Sequence, residues 1–439
     1  MVWTSHPVDK FRGNVTAPGD KSCSHRALIL GAMAEGETLI SGLLEGADVL
    51  ATGAAMRALG ASIEQIAPGE WQITGVGQRG LSSAGVLDFG NSGTGSRLVM
   101  GAVTGYTLIA EFTGDDSLST RPMNRILAPL RLMGLRDTAD EDGHMPFTLY
   151  CGDGIKAIDY TPPHASAQIK SAILLAGLNA QGTTIVRESR KTRDHSERML
   201  RGFGAEVVVQ AEAGGGNTVS IEGGQALRGI ETTIPGDPSS AAFLASAAMI
   251  SPDGEILIEG VMSNETRDGF FTATQAMGAV IGAEERGEAS GERLIDMSVS
   301  SSGLKGSAVP ARLVPSMIDE FPILAVMAAF AKGETVVTGA KELRVKETDR
   351  IKAIVDMLRV NGVKIEERED GFVIEGCNGP PPGGGLVETR GDHRIAMSAL
   401  IMGTASQRPV SIDDASMIAT SYPDFLAHMA KLGADMREE

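Results

Sequence analysis

Two kinds of apolar pattern alternate along the chain. The first is apolar on every side: ALILGAMA (27–34), FLASAAMI (243–250) and ILAVMAAFA (323–331) hold no charged residue. A helix of that composition has no face suited to water. These runs therefore predict buried helices, packed against one another with sheets outside them. The second pattern is apolar on one side only, as in VLATGAAMRALGASIEQI, RMLRGFGAEVVVQ, FTATQAMGAVIGAEE and IKAIVDMLRVNGVKIEE. Each of these reads as an amphipathic helix, a glycine stop and a strand.

The first pattern recurs with a common opening, a polar turn of small residues. GDKSCSHRALILGAMAEGETLISG starts at 19, GNSGTGSRLVMGAVTG at 90 and SAQIKSAILLAGLNAQGTTIV at 166. GDPSSAAFLASAAMISPDGEILIEG starts at 236, DEFPILAVMAAFAKGETVVTG at 319 and GDHRIAMSALIMGTASQRPVSI at 391. The copies lie about 70–85 residues apart, the size of a supersecondary unit with several elements rather than of a small solenoid repeat. Each reads as helix, strand, helix, strand, with further short strands. Six such units in 439 residues predict two domains of three, parted near the Pro-Gly-Asp-Pro turn of TTIPGDPSSAA (232–242).

Composition narrows the function. Hydrophobic residues make up 42% and charged residues 22%, as in a globular protein. The net charge of −17 speaks against nucleic acid as a partner, because phosphate backbones need a basic face. Clustered cations in so acidic a chain are informative. Asp20, Lys21, Ser22, Ser24, His25 and Arg26 crowd the mouth of the first apolar run, and are expected on its exposed rim as an anion site. Three scattered cysteines, no CxxC or HExxH pair, no apolar run of signal-peptide length at the start and no membrane-length stretch point to a cytoplasmic protein without a metal site or membrane anchor. GNSGTGSR lacks the Gly-Lys-Ser/Thr ending of a nucleotide-hydrolysing loop, though its backbone can still face an anion.

Seven motifs, GDKSCSHRA, GNSGTGSRL, TGDDSLSTRPM, SAQIKSA, DEFP, RVKETDRI and GDHRIAM, stand in an order and spacing that closely resemble the EPSP synthase (3-phosphoshikimate 1-carboxyvinyltransferase) family, over essentially the whole chain. The resemblance implies an α/β (α+β) fold, a two-domain inside-out α/β barrel with three βαβαββ repeats per domain. It implies a C-terminal (lower) domain of residues 1–20 plus 237–439 and an N-terminal (upper) domain of residues 21–236. The strand in DKFRGNVTAPG would then close the C-terminal half. In the family, the cleft between the domains closes on substrate.

The implied reaction transfers the enolpyruvyl group of phosphoenolpyruvate to the 5-hydroxyl of shikimate 3-phosphate, releasing phosphate. By resemblance, Lys21, Ser22, Arg26, Ser166, Ala167, Gln168, Arg193, Asp319 and Lys346 bind shikimate 3-phosphate. Lys21, Asn91, Gly93, Arg121, Gln168, Arg350 and Arg394 bind phosphoenolpyruvate. Asp319 takes the proton of the 5-hydroxyl and Glu347 is the proton carrier at the methylene carbon; Lys21 joins them as a catalytic cation. Read bottom-up, Ser166 and Asp319 also suit helix N-caps, and Glu347 and Arg350 share a face on a helical turn. KTRDHSERM, around Arg193, suits a solvated charged run. No metal or organic cofactor is implied, and the inhibitor glyphosate is expected in the phosphoenolpyruvate site. A monomer is expected. Thr420, in IATSYPDF, stands where some members carry a lysine, and Gly93 where some glyphosate-tolerant members carry alanine. The alternatives are transfer to UDP-N-acetylglucosamine, whose family has Lys-Asn in place of Lys21-Ser22 and a reactive loop cysteine, and a non-catalytic phosphosugar-binding protein on the same fold.

Overall fold

The computed structural model describes residues 1–152 and 154–439. Its repeat is plain in the second unit of the chain. Strand Val86–Asp88 leads into helix Gly93–Val103 and on to strand Leu108–Thr113, parallel to the first. Helix Asn124–Met133 follows, then strands Arg136–Asp137 and Phe147–Cys151. The last of these lies antiparallel between its two neighbours. A parallel pair needs a crossover, which the first helix supplies; the antiparallel pair needs only a turn. The third and fifth repeats have the same order, and the described residues form six four-stranded sheets of this kind.

Three repeats take a strand from a distant part of the chain. The first is opened by Glu231–Thr233, parallel to Glu37–Ser41. The fourth is opened by Lys10–Thr16, parallel to Asp253–Ser263, with Phe11 and Val15 buried and the other five residues exposed. The strand of DKFRGNVTAPG therefore opens a repeat rather than closing one. Closure falls to Trp3–His6, which pairs with Val410–Ile412 and with Asp435–Glu438 in the last sheet.

Two compact units result. The N-terminal unit holds residues 19–234 and 289–291; the C-terminal unit holds 1–18, 235–288 and 292–439. Within the C-terminal unit the first helices Pro238–Ile250, Phe321–Phe330 and His393–Gly403 pack on one another. They are buried almost throughout, as helices without a polar face must be. In the N-terminal unit, helix Gly93–Val103 lies against both Lys21–Met33 and Ala167–Gly177. Six second helices complete the repeats, each followed by a glycine at positive φ: Gly60, Gly134, Gly204, Gly278, Gly362 and Gly433. Two of the six, Asn124–Met133 and Phe425–Lys431, are absent from the sequence reading above. The first contains Pro129, which argues against a helix interior, and the second has only 7 residues.

Helix Gly93–Val103 meets Ala167–Gly177 at backbone distance. A Cβ on Gly101 would lie 2.3 Å from the Ala172 carbonyl oxygen. Gly101→Ala gains up to about 1 kcal/mol in helix propensity but forces the helices apart, an overpacking effect of about 1–3 kcal/mol. A net loss of about 1–2 kcal/mol is expected in urea unfolding. Gly202→Ala, with nothing within 4 Å of the new methyl, should be neutral or stabilising.

Candidate active site

Three helix N-termini gather the named polar residues of the N-terminal unit. Asp20 caps helix Lys21–Met33, accepting from the Cys23 amide at 2.7 Å. Lys21, the first helical residue, places Nζ 2.5 Å from Asp48 Oδ2 on helix Ala47–Ala58. Ser22 is half-buried, and its carbonyl accepts from Arg26 Nη1 at 2.9 Å. His25 and Arg26 are buried, not on an exposed rim, because neighbouring helices cover them. Arg26 donates from Nε to Ser196 Oγ (2.8 Å) and from Nη2 to Ser171 Oγ (2.9 Å). Burial pulls its pKa down from the ordinary arginine value, with opposing help from Cys23, Asp20 and Glu197 and a further downward push from the charge of Arg193. The segment around Arg193 is no solvated run: Thr192, His195, Ser196 and Glu197 are buried.

The next helix N-terminus is Gly-rich. Ser92 caps helix Gly93–Val103, accepting from the Gly95 amide. Asn91 Nδ2 donates to Asp115 Oδ2 (2.8 Å), and its Oδ1 accepts from Arg121 Nη2 (2.6 Å), which also donates to Ser117 Oγ (3.0 Å). Gly93 lies beneath these cations: a methyl there would sit 3.1 Å from Arg121 Nη1 and 3.4 Å from Arg97 Nη1. Arg97 Nη1 donates to Gln168 Oε1 at 3.0 Å, and Gln168 Nε2 donates to Thr94 Oγ1 at 3.0 Å. Gln168 is thereby tied to the Gly-rich helix from the start of helix Ala167–Gly177, whose cap is Ser166. Ala167 is its first residue.

A second constellation lies in the C-terminal unit, centred on Arg350. This side chain is fully buried and opens helix Arg350–Val360. Its Nε donates to Asp392 Oδ2 at 2.8 Å, its Nη2 lies 2.6 Å from Glu347 Oε2, and its Nη1 lies 3.4 Å from Asp319 Oδ1. Burial alone would lower the pKa of the guanidinium, but the charges of Asp392, Glu347 and Asp319 outweigh it and raise it far above the ordinary value. Lys346 Nζ lies 3.8 Å from Asp319 Oδ1, and Arg394 Nη1 donates to the Asp319 carbonyl at 3.3 Å. Asp319 is not a helix cap. Glu320 holds the cap position of helix Phe321–Phe330, and the Asp319 carboxylate turns to the cations instead. Glu347 precedes the helix that Arg350 opens, so this pair closes across a bend rather than along a helical turn. Thr420 hydrogen-bonds within its own short 3-10 helix, to the Met417 carbonyl at 2.7 Å.

Within each unit the named residues are thus brought together. The sequence reading omits their partners Asp48, Thr94, Arg97 and Asp392. Asp392 stands inside the quoted GDHRIAM, so a signal was present; an aspartate before a helix reads first as a cap, a role that it also fills by accepting from the Arg394 amide.

A two-unit, six-repeat α/β protein with cations and carboxylates at its helix N-termini has the architecture of the enolpyruvyl transferases. An enolpyruvyl transferase from Streptomyces tendae, 18% identical, aligns over 99% of this chain and 98% of its own with a TM-score of 0.79, which shows the fold. An EPSP synthase structure from Acinetobacter baumannii aligns over 100% of both chains at 43% identity and a TM-score of 0.87. A 3-phosphoshikimate 1-carboxyvinyltransferase of Hyphomonas neptunium is 66% identical over 438 residues, 100% of each chain, and one of Caulobacter vibrioides is 52% identical over 99% of this chain and 98% of its own. The family model described as EPSP synthase (3-phosphoshikimate 1-carboxyvinyltransferase) matches residues 6–429. The chain belongs to that family.

His25 gives this cluster a pH signature. Its Nδ1 lies 2.8 Å from Thr52 Oγ1, and its buried Nε2 has no hydrogen-bond partner among the described residues. Burial, then the charges of Lys21 and Arg26, push its pKa well below 6.5. The unfolded chain takes up this proton near pH 6.5 and the folded one does not. The contribution is therefore intact above that value and is lost as pH falls from it toward the lowered folded value, by about 1.4 kcal/mol per pH unit. Urea unfolding between pH 5 and 7 should show this slope, and His25→Asn should flatten it by one proton.

Proposed function

We infer that the protein transfers the enolpyruvyl group of phosphoenolpyruvate to the 5-hydroxyl of shikimate 3-phosphate and releases phosphate. Membership of the family supports the reaction. The observation that carries the chemistry is the turning of Asp319 away from a helix cap and onto Arg350 and Lys346, with Glu347 on the same guanidinium. That arrangement supplies two partly accessible carboxylates in unlike surroundings, which acid–base chemistry on one substrate pair requires.

Protonation of the phosphoenolpyruvate methylene, assigned to Glu347, generates cationic character at C2. The 5-hydroxyl attacks C2 as Asp319 removes its proton. The resulting tetrahedral adduct then expels phosphate while the new methyl group returns a proton, which restores the enol ether. Lys21, Arg121, Arg350 and Arg394 take the carboxylate and phosphate of phosphoenolpyruvate, with Asn91, Gly93 and Gln168 around them. Lys21, Ser22, Arg26, Ser166, Ala167, Gln168, Arg193 and Lys346 take shikimate 3-phosphate, whose reacting hydroxyl faces Asp319. Fork-shaped guanidinium donors suit both anionic groups, and their charge is most useful where negative charge develops on the departing phosphate. The protein works in the cytoplasm, a reading supported by Cys23, Cys151 and Cys377, which form no disulfide among the described residues, and by the absence, among the described residues, of any helix long and apolar enough to cross a membrane.

Phosphate release from phosphoenolpyruvate should require shikimate 3-phosphate, and Asp319→Asn should lower kcat by about 10²–10⁴ while the variant keeps its melting temperature. Turnover with UDP-N-acetylglucosamine instead would move the acceptor, and release with neither acceptor would leave only a binding role. Glyphosate is proposed to occupy the phosphoenolpyruvate site. Because a methyl at Gly93 would press on Arg121 and Arg97, Gly93→Ala should weaken glyphosate inhibition by about 10–200-fold and raise the KM for phosphoenolpyruvate. Inhibition assays at fixed shikimate 3-phosphate measure both.

A further inference from the structure

The N-terminal unit buries a set of charges for which the reaction above has no use. Lys170 Nζ lies 3.0 Å from Glu188 Oε2 and 2.7 Å from Glu197 Oε1, and these side chains are 1%, 2% and 2% exposed. Glu188 Oε1 also accepts from the Thr192 hydroxyl. A buried ion triad carries a desolvation penalty that apolar side chains of the same volume would avoid. Stability alone is a poor reason for its presence.

Its neighbours supply a better one. Lys170 and Ser171 are adjacent on helix Ala167–Gly177, and Ser196 and Glu197 are adjacent on helix His195–Gly202. The two helices are therefore joined by two rungs side by side. One is the ion pair of Lys170 with Glu197 at 2.7 Å; the other is the hydroxyl pair, in which Ser196 Oγ donates to Ser171 Oγ at 2.7 Å. The hydroxyl rung is what holds Arg26. It accepts from Nε at Ser196 and from Nη2 at Ser171, while Nη1 donates to the Ser22 carbonyl. Three of the five guanidinium donors are thus fixed by the protein, and two remain for a ligand.

We propose that Lys170, with Glu188 and Glu197, is a positioning residue: the buried ion rung sets the spacing of the two helices at which the Ser171–Ser196 pair aims Arg26 at an anionic group of shikimate 3-phosphate. This rests on the assignment of Arg26 as a ligand of that substrate. The triad acts through Arg26 and touches no substrate itself. It is rigid where a hydroxyl pair alone would slip, because moving Glu197 off Lys170 in a dry interior leaves the carboxylate without its counter-charge.

Steady-state kinetics with both substrates test this, with melting temperatures recorded for each variant. Glu197→Gln keeps the shape of the side chain and removes its charge. It should raise the KM for shikimate 3-phosphate about tenfold and change kcat and the KM for phosphoenolpyruvate by less than about twofold. Ser196→Ala should do the same, and the double variant should exceed the larger single effect only slightly, since both act on one guanidinium. A purely structural triad would lower the melting temperature and leave the KM for shikimate 3-phosphate unmoved, which overturns the inference. Arg26→Gln separates the two ways of failing. A raised KM for shikimate 3-phosphate in that variant, with unchanged values in Glu197→Gln and Ser196→Ala, overturns the positioning role alone. An unchanged KM in Arg26→Gln overturns the ligand assignment and the inference with it.

Discussion

Cations are held here at the ends of helices that repel them. A helix N-terminus carries about half a positive charge, from amides without intrahelical partners. Lys21 and Arg350 are nevertheless the first residues of their helices, and Arg394 is the second of its own. Carboxylates make this tolerable. Asp20, Asp349 and Asp392 cap the three helices and accept from their amides. A further contact then meets the side chain: Asp48 on Lys21, and Asp392, Glu347 and Asp319 on Arg350. Asp392 serves twice, as the cap of one helix and as the partner of the arginine that opens another. A net charge of −17 is compatible with a cationic site because part of that negative charge is what keeps the cations in place.

The fold was legible because its repeat leaves two separate marks. All-round apolar runs locate the buried first helices, and a glycine stop after an amphipathic run locates the second ones. Where either mark weakens, the reading stops. Pro129 stands inside one second helix, where a proline ordinarily reads as a break, and Phe425–Lys431 completes less than two full turns. Strand exchange is a different kind of gap. Lys10–Thr16 and Trp3–His6 lie in different sheets, with partners about 240 and 400 residues away. Alternation within Lys10–Thr16 shows that one face is buried but not which edge it joins, since parallel pairing depends on what the rest of the chain leaves uncovered.

Legibility of the site divided along a similar line. The cations stand in short motifs beside small residues, and local context is enough to mark them. Their partners do not. Asp48 meets Lys21 across 27 residues, and Arg97 meets Gln168 across 71. Asp48 sits on an amphipathic helix, where a single acid reads as ordinary surface. Exposure is hidden from the sequence for the same reason. A polar cluster at a helix mouth looks solvated in one dimension, but His25 and Arg26 are covered by helices that arrive later in the chain.

In the C-terminal unit, three carboxylates, Asp319, Glu347 and Asp392, meet three cations, Lys346, Arg350 and Arg394. The group is formally neutral, so an anion is held by individual cations at close range rather than by net charge. Asp392 is wholly buried, as both a cap and an ion-pair partner. Asp319 faces two cations, at 3.4 and 3.8 Å. Glu347 has the more exposed side chain of the remaining two, 26% against 17%. In the proposed reaction an anion bound by Arg350 would lie beside Glu347. Phosphoenolpyruvate and the acid assigned to its methylene carbon would then meet on one guanidinium, so that one charge constraint governs both the hold on the substrate and the place of its first chemical step.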